Sequence, residues 1–290
     1  MRRTPSFLVS LLLLAATSGC ANQLMLHPWY SRSRIGESPQ FPATQFTEVV
    51  VQNSRGFKLR AALYYRDGDR GTVMVSGGNA TSRRQTAQYF RFLLGHGFRM
   101  LAFSFQGYDD NEGKAELTSL VGDATAFYQY LEKAFPGEPI AYVANSISSA
   151  PAFCLPTIVD GPVAIAVEGA FIPKSIPYSR WNSAAYAVLL YPVFFPIAAL
   201  VSVSIPRNLD VESCIARDST TPILFIHHPD DSVTPFRDAR RLFDLYRGEK
   251  QLLIPSKTEP QAHANLGDDA NAQRALVEFL ILRVQGDHGS

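Results

Sequence analysis

A serine stands at a point of the chain where it could act as a nucleophile. The apolar run Ile140–Ala144 predicts a buried strand, and Ser146 follows it directly before a predicted helix at Ile147–Ile158. A serine on a tight strand-to-helix turn exposes its hydroxyl, provided that the residues two before and two after it are small. Ala144 and Ser148 meet that condition, so Ser146 is a candidate nucleophile for acyl transfer. Taken alone, Ser146 fits an ordinary helix N-cap better.

A carboxylate and a histidine later in the chain complete a possible catalytic set. Asp231 lies just beyond the predicted strand Ile223–His227, and His263 lies between the last predicted strand and the closing helix. A carboxylate there can hold a histidine in one tautomer and stabilise its charged form. Asp230 is adjacent to Asp231, and either side chain could point inward on a turn. The chain order Ser, Asp, His differs from the orders of the two well-known serine-protease folds.

Alternating strands and helices must position these residues. A β-hairpin is predicted at Phe46–Gln52 and Phe57–Tyr65, joined by a turn that contains glycine. Strands and helices then alternate, which predicts an α/β fold whose mostly parallel, twisted sheet carries helices on both faces. The predicted strands are Thr72–Ser76, Phe98–Phe105, Ile140–Ala144, Val163–Glu168, Ile223–His227 and Gln251–Ile254, and the predicted helices are Ser82–Leu94, Thr118–Phe135, Ile147–Ile158, Pro235–Tyr246 and Asp268–Val284.

Two further segments occur in the same order as motifs of a known family. Ser76-Gly77-Gly78-Asn79-Ala80 is similar to a His-Gly-Asn-Ala oxyanion loop in which Gly77 replaces the histidine. Residues 104–108 and 112–113 are similar to an Asp-Tyr-Arg-Gly-Tyr-Gly-x-Ser-Glu-Gly stretch. Together with the turn at Ser146 and the Ser, Asp, His order, they make residues 46–285 resemble the α/β-hydrolase family. The branch that they resemble includes bacterial envelope esterases and eukaryotic protein depalmitoylases.

The resemblance implies a serine hydrolase acting on small acyl esters or thioesters. Ser146 would attack the acyl carbonyl, His263 would take its proton, and Asp231 would orient His263. The backbone N–H groups of Asn79 and Ile147 would face the oxyanion. The family implies no metal and no cofactor, and His263 has no plausible set of metal ligands beside it in the sequence.

The departures from the family pattern leave two alternatives open. Some family members supply the acid from the position of Glu168, although the family spacing favours Asp231 and predicts Glu168 to be a loop carboxylate beside Gly169. The glycines that usually flank the nucleophile are Ala144 and Ser148 in this chain. The competing hypothesis is therefore a catalytically inactive envelope lipoprotein of the same fold that binds an apolar ligand or partner.

The N-terminus has the order of an export signal. Arg2 and Arg3 precede an apolar run and the small residues Ser18 and Gly19, which predicts a signal peptide at residues 1–19. Cys20 would then resemble the lipidated cysteine of a bacterial lipobox, with an ordinary cleaved signal as the alternative. This interpretation predicts a lipid-anchored protein of the cell envelope, with the outer membrane favoured by the residue after Cys20. Residues 20–45 have no clear periodicity and are predicted to be a tether.

One long stretch interrupts the alternation. Trp181–Pro206 contains no charged residue and is long enough to span a membrane. Pro192 and Pro196 lie near its middle and would break a straight helix, so we expect an apolar cap at about residues 170–221 instead. The cap could line an acyl pocket, touch the bilayer, or be a buried helical insertion.

Composition narrows the class of protein. The chain has 290 residues, 46% of them hydrophobic, and a formal net charge of +1. Removal of the segment that contains Arg2 and Arg3 would leave no basic excess, which argues against nucleic acid as a partner. Three cysteines are too few for a disulfide scaffold. Cys154 and Cys214 could pair in an oxidising envelope, but Cys154 should be buried behind Ser146, so we do not expect a bridge.

Overall fold

An eight-stranded sheet forms the centre of the computed structural model, which describes residues 21–22, 25–33, 36–69, 71–178, 195–196, 198–218 and 220–284. The strand order is β1-β2-β4-β3-β5-β6-β7-β8. The hairpin β1–β2 and the β2–β4 pair are antiparallel, and every other pair is parallel. The strands are β1 Gln45–Gln52, β2 Lys58–Tyr65, β3 Thr72–Ser76, β4 Arg99–Phe103, β5 Ile140–Asn145, β6 Ala164–Glu168, β7 Ile223–Ile226 and β8 Lys250–Leu253.

Helices cover both faces of this sheet. They are α1 Pro28–Arg32, α2 Arg83–Tyr89, α3 Leu120–Ala134, α4 Ser149–Cys154, α5 Val211–Arg217, α6 Phe236–Leu245 and α7 Ala270–Val284. Apolar residues of α3, α4, α5 and α6 pack in one core on one face. Residues of α2 and α7 pack in a second core on the other. The central strands β3, β5, β6 and β7 are buried along their whole length, as a parallel sheet covered on both sides requires.

The predicted strands and helices agree with the structure to within a few residues, with one informative exception. The helix predicted at Ile147–Ile158 is divided into a 3₁₀ turn at Ser146–Ser148, the helix α4, and a second 3₁₀ turn at Leu155–Thr157. Pro156 lies in the second turn and has no backbone N–H with which to continue the α-helical hydrogen bonds. The α-helix therefore ends at Cys154.

Part of the segment predicted to be a tether lies against the sheet domain. Met25 and Leu26 are buried just before α1, and Ser31 is buried within it. The Ser31 hydroxyl accepts a hydrogen bond from the Asp109 N–H at 3.1 Å. The Arg32 guanidinium donates to the Gly107 carbonyl at 3.0 Å. Residues 25–33 therefore contact the domain that they were expected only to lead to.

Part of the predicted cap, including residues 181–194, lies outside the described residues. Residues 198–203 are helical, with Val201 buried and Val203 71% exposed. Among the described residues, no helix is long and apolar enough to cross a membrane.

The expectation that the two cysteines remain unpaired is wrong. Cys154 and Cys214 form a disulfide between the end of α4 and α5, with Cα atoms 4.9 Å apart. Burial of Cys154 behind Ser146 is correct, but α5 packs against α4 and brings Cys214 to the same buried place. Burial therefore did not isolate this thiol from its partner.

Candidate active site

Ser146 occupies the turn that follows β5 at the carboxyl edge of the sheet. Its φ angle is 55°, a left-handed conformation that a residue with a side chain adopts at a cost. Ala144 and Ser148 are both fully buried, and the Ser148 hydroxyl donates to the Gly77 carbonyl at 2.5 Å. These contacts hold the turn in place. The backbone thus has the strained geometry expected of a nucleophile-bearing turn.

The structure brings the predicted acid and base into contact. The Nδ1 atom of His263 lies 2.7 Å from Oδ2 of Asp231. Because a carboxylate only accepts, Nδ1 carries the proton and Nε2 keeps the lone pair that a general base needs. Asp230 is not involved, since its side chain is 66% exposed and faces Lys257 at 3.9 Å.

Asp231 is held as a buried anion by several donors. The Val233 and Thr234 N–H groups donate to Oδ1 at 2.8 Å, and the Thr234 hydroxyl donates to Oδ2 at 2.8 Å. Burial raises the pKa of the Asp231 carboxyl, but the hydrogen bond and charge of His263 outweigh this effect and hold the pKa below its usual value. Asp231 therefore stays ionised at neutral pH.

A second histidine supports the same carboxylate. Nε2 of His227 lies 3.1 Å from the Thr234 carbonyl and 3.3 Å from Asp231 Oδ2. Burial lowers the pKa of His227, so the neutral ring is favoured. No local pattern in the sequence predicted this role, because a histidine at the end of a buried strand is equally typical of an inert core residue.

The two predicted oxyanion residues border the nucleophile. Asn79 and Ile147 line a cavity of about 50 Å³ together with Ser146 and Thr234. The other lining residues are apolar: Met25, Phe171, Ile176 and Val233. Thr234 also lies 3.3 Å from His263 Nδ1, so the base sits beside this cavity.

The side chain of Asn79 holds the N-terminal segment over the cavity. Its Oδ1 accepts from the His27 N–H at 2.9 Å and from the Tyr108 hydroxyl at 2.8 Å. Its Nδ2 donates to the Met25 carbonyl at 2.5 Å. Met25 therefore closes one side of the cavity at Ser146.

The loop of His263 depends on two residues that sequence reasoning missed. Oε1 of Glu259 accepts hydrogen bonds from the N–H groups of His263 and Ala264. Gly169 lies against the imidazole, since a Cβ atom there would come within 2.8 Å of His263 Cε1. The Glu259 contacts lie within one loop, whereas Gly169 and His263 belong to segments that meet only in the folded chain, so no local sequence pattern predicts their contact.

Glu168 does not supply the acid, and it is not a loop carboxylate either. It ends β6, is 2% exposed, and accepts three hydrogen bonds, none of them from His263. The parallel pairing of β6 between β5 and β7 places it beneath the active-site edge.

Two further expectations concern the N-terminus and metal binding. The predicted lipidation site, Cys20, lies outside the described residues, as does the predicted signal peptide at residues 1–19. Within the described part of the chain, no group of three or more His, Cys, Asp or Glu side chains could hold a metal ion.

No protein-family model matches the sequence. The lysophosphatidylserine lipase ABHD12 of Danio rerio is 26% identical over 195 residues, which cover 62% of this chain and 48% of that lipase. The chain thus spans about half the length of this relative. An uncharacterized protein of Mycobacterium tuberculosis is 27% identical over 211 residues, which cover 71% of this chain and 69% of that protein.

Solved structures resemble the whole sheet domain. The Pyrococcus furiosus esterase Pf2001 superposes with a TM-score of 0.68 at 18% identity, covering 90% of this chain and 98% of that one. The esterase domain of a Rhodothermus marinus protein superposes with a TM-score of 0.56 at 18% identity, covering 83% of this chain and 100% of that one. Together with the sheet order and the placement of the helices, these likenesses show that the chain has the α/β-hydrolase fold.

Proposed function

We propose that the protein is a serine hydrolase that cleaves acyl esters or thioesters through Ser146, His263 and Asp231. One observation carries the proposal. Ser146 sits on a strained turn and lines the same cavity as Thr234, which lies 3.3 Å from a histidine whose Nδ1 is bonded at 2.7 Å to a buried carboxylate. A buried, ionised carboxylate that only orients a histidine has a clear use when the histidine must accept a proton.

The proposed reaction has two half-steps. Ser146 Oγ attacks the acyl carbonyl while His263 Nε2 takes the hydroxyl proton, and that proton then passes to the departing alcohol or thiol. Water attacks the resulting acyl-enzyme with His263 again as base, which releases the acid and regenerates Ser146. The backbone N–H groups of Asn79 and Ile147 are the proposed oxyanion donors.

The lining of the cavity favours an acyl group as the part of the substrate next to Ser146. Five of its lining side chains are apolar, and none of its lining residues carries a formal charge. A volume of about 50 Å³ holds only a few heavy atoms, so a longer chain requires Met25 or a neighbouring side chain to move. Because one relative is named a lysophosphatidylserine lipase, lysophospholipids belong in the substrate panel beside simple acyl esters and thioesters.

The decisive experiment treats the full chain, solubilised in detergent, with a fluorophosphonate probe. Ser146→Ala should abolish labelling. Ser149→Ala is the matched control, because Ser149 is also buried and its hydroxyl has no hydrogen-bond partner among the described residues. Absence of labelling in a folded wild-type protein would reject the proposal and favour the inactive binding lipoprotein.

We also propose that the protein is exported and lipid-anchored in a bacterial envelope. The basic and apolar order of residues 1–19 and the position of Cys20 support this proposal, and a disulfide is typical of oxidising compartments. Metabolic labelling with a fatty acid should mark the wild type and not Cys20→Ser. Equal labelling of the two would refute the anchor.

A further inference from the structure

Glu168 is a buried carboxylate at the carboxyl end of β6 that the proposed reaction does not use. Oε1 accepts the Leu266 N–H at 2.8 Å. Oε2 accepts the Tyr89 hydroxyl at 2.7 Å and the Asn145 side-chain amide at 2.9 Å. A buried anion is tolerated only when its oxygens are satisfied in this way.

These three donors come from the three parts of the chain that form the active-site edge. Asn145 directly precedes Ser146, Leu266 follows His263 by three residues, and Tyr89 ends α2. The turn that bears the nucleophile and the loop that bears the base lie more than 100 residues apart in the sequence. Glu168 joins them through one side chain.

The carboxylate also faces the base electrostatically. The charge of His263 acts to lower the pKa of Glu168, although burial is the larger effect and raises it. The other charged or titratable groups around His263 and Glu168 are Asp231 and His227 near β7, Glu259 on the loop of His263, Tyr89 on α2 and Asp268 before α7. Of the acidic groups, Asp231 accepts a hydrogen bond from the imidazole ring, and Glu259 accepts one from the backbone of the loop. Glu168 instead accepts one from Asn145 in the turn of Ser146.

We propose that Glu168 is a positioning residue of the hydrolytic centre, which fixes the loop of His263 against the turn of Ser146. This inference rests on the proposed function. It goes further because it assigns Glu168 a positioning role, which differs from that of the acid and from that of an inert core residue.

The test compares Glu168→Gln with the wild type and with Glu132→Gln, an exposed glutamate on α3. Glutamine keeps the volume and one acceptor oxygen, but its NH₂ group meets the donating amide of Asn145. We expect the fluorophosphonate labelling rate and kcat to fall by about 10- to 100-fold, with KM changed less than threefold. Glu132→Gln should behave as the wild type.

A second variant covers the case in which Glu168→Gln does not fold. Tyr89→Phe removes one donor and leaves the carboxylate in place, and it should reduce the labelling rate by about three- to tenfold with KM unchanged. The inference is overturned if the folded variants keep the wild-type labelling rate and kcat, or lose activity only through KM. A wild type that is not labelled at Ser146 would instead overturn the proposed function itself, and this inference with it.

Discussion

At the scale of single residues, the site is a set of groups whose protonation is fixed by their contacts. Asp231 is buried but ionised because three hydrogen bonds from its own loop and one from the ring of His263 satisfy its oxygens. His227 lies beside it and favours the neutral ring because burial lowers its pKa. The local charge is therefore that of one carboxylate facing one histidine that is free to take a proton.

Replacing Asp231 tests this arrangement. Asp231→Asn keeps the shape but offers an amide, which favours the wrong tautomer of His263, and kcat should fall by about 10³- to 10⁴-fold. Asp230→Asn changes the adjacent, exposed carboxylate and should leave kcat within about twofold of the wild type, since surface groups of this kind contribute little. Steady-state hydrolysis of a short acyl ester measures both. An equal loss of kcat in the two variants would contradict the assignment of Asp231 as the partner of His263.

Asp231 should also make stability depend on pH. Its pKa is lower in the folded chain, so its stabilisation is complete above the unfolded value of about 3.9 and is lost as pH falls through the folded value. We expect Asp231→Asn to lose less stability than the wild type between pH 5 and the acid limit of folding. Denaturant unfolding at a series of acidic pH values checks this, and parallel curves for the two proteins would refute it.

Gly169 offers a matched pair of glycine substitutions. Gly169 and Gly137 both have positive φ, at 69° and 77°, but only at Gly169 would an added Cβ meet the His263 ring. Both alanine variants should lose about 1 kcal/mol of stability through backbone strain. Only Gly169→Ala should also lose activity, by roughly tenfold or more, because the base is displaced. Thermal unfolding and ester hydrolysis separate the two effects, and full activity of Gly169→Ala would contradict this contact.

At the scale of elements, the N-terminal segment forms one wall of the cavity beside the sheet. Two backbone groups, the N–H of His27 and the carbonyl of Met25, bind the side chain of Asn79. The same asparagine supplies a proposed oxyanion N–H. The segment after the predicted anchor and the active-site edge are thus coupled through one side chain.

This wall should control the length of acyl chain that the site accepts. Met25 is 4% exposed and lines the cavity, whereas Trp29 on the same segment is 52% exposed. Met25→Ala should enlarge the cavity and raise kcat/KM for hexanoyl and octanoyl esters relative to acetyl esters by about 10-fold, at a stability cost of roughly 2 kcal/mol. Trp29→Ala should leave the ratio unchanged. An unaltered preference in Met25→Ala would place the acyl chain elsewhere.

At the scale of the whole molecule, a disulfide ties α4, the helix behind Ser146, to α5, which lies within the predicted cap. The bond closes a loop of 60 residues between Cys154 and Cys214. Chain entropy predicts a stabilisation of at most about 4 kcal/mol for a loop of this length. The loop also contains Glu168, so its closure supports the sheet beneath the site.

Reduction should therefore lower the thermal stability of the protein. We expect the Tm of the wild type to fall by several degrees in the presence of reductant, because one domain of this size shifts by roughly 2–4 °C per kcal/mol. The double variant Cys154→Ala/Cys214→Ala should start at the lower Tm and not respond to reductant. A wild-type Tm that is insensitive to reductant, with free thiols by mass spectrometry, would refute the pairing.

The sequence by itself determined the sheet and the order of the chemical groups. Continuous apolar runs such as Ile140–Ala144 report burial on both faces, and the residue after such a strand lies at the sheet's carboxyl edge, so Ser146 could be placed from local pattern alone. The same reasoning put Asp231 and His263 beyond β7 and β8, where the structure finds them in contact. Local periodicity is sufficient for these because each depends on its own strand.

Only the tertiary structure decided which distant groups meet. The choice of Asp231 over Asp230 depends on how one turn packs against a loop 32 residues away. The bonds of Glu168 span 23, 79 and 98 residues, and the contact of His27 with Asn79 spans 52. The pairing of Cys154 with Cys214 likewise needs α5 to pack on α4. No local pattern encodes such contacts, because they arise from the packing of elements that are far apart in the chain.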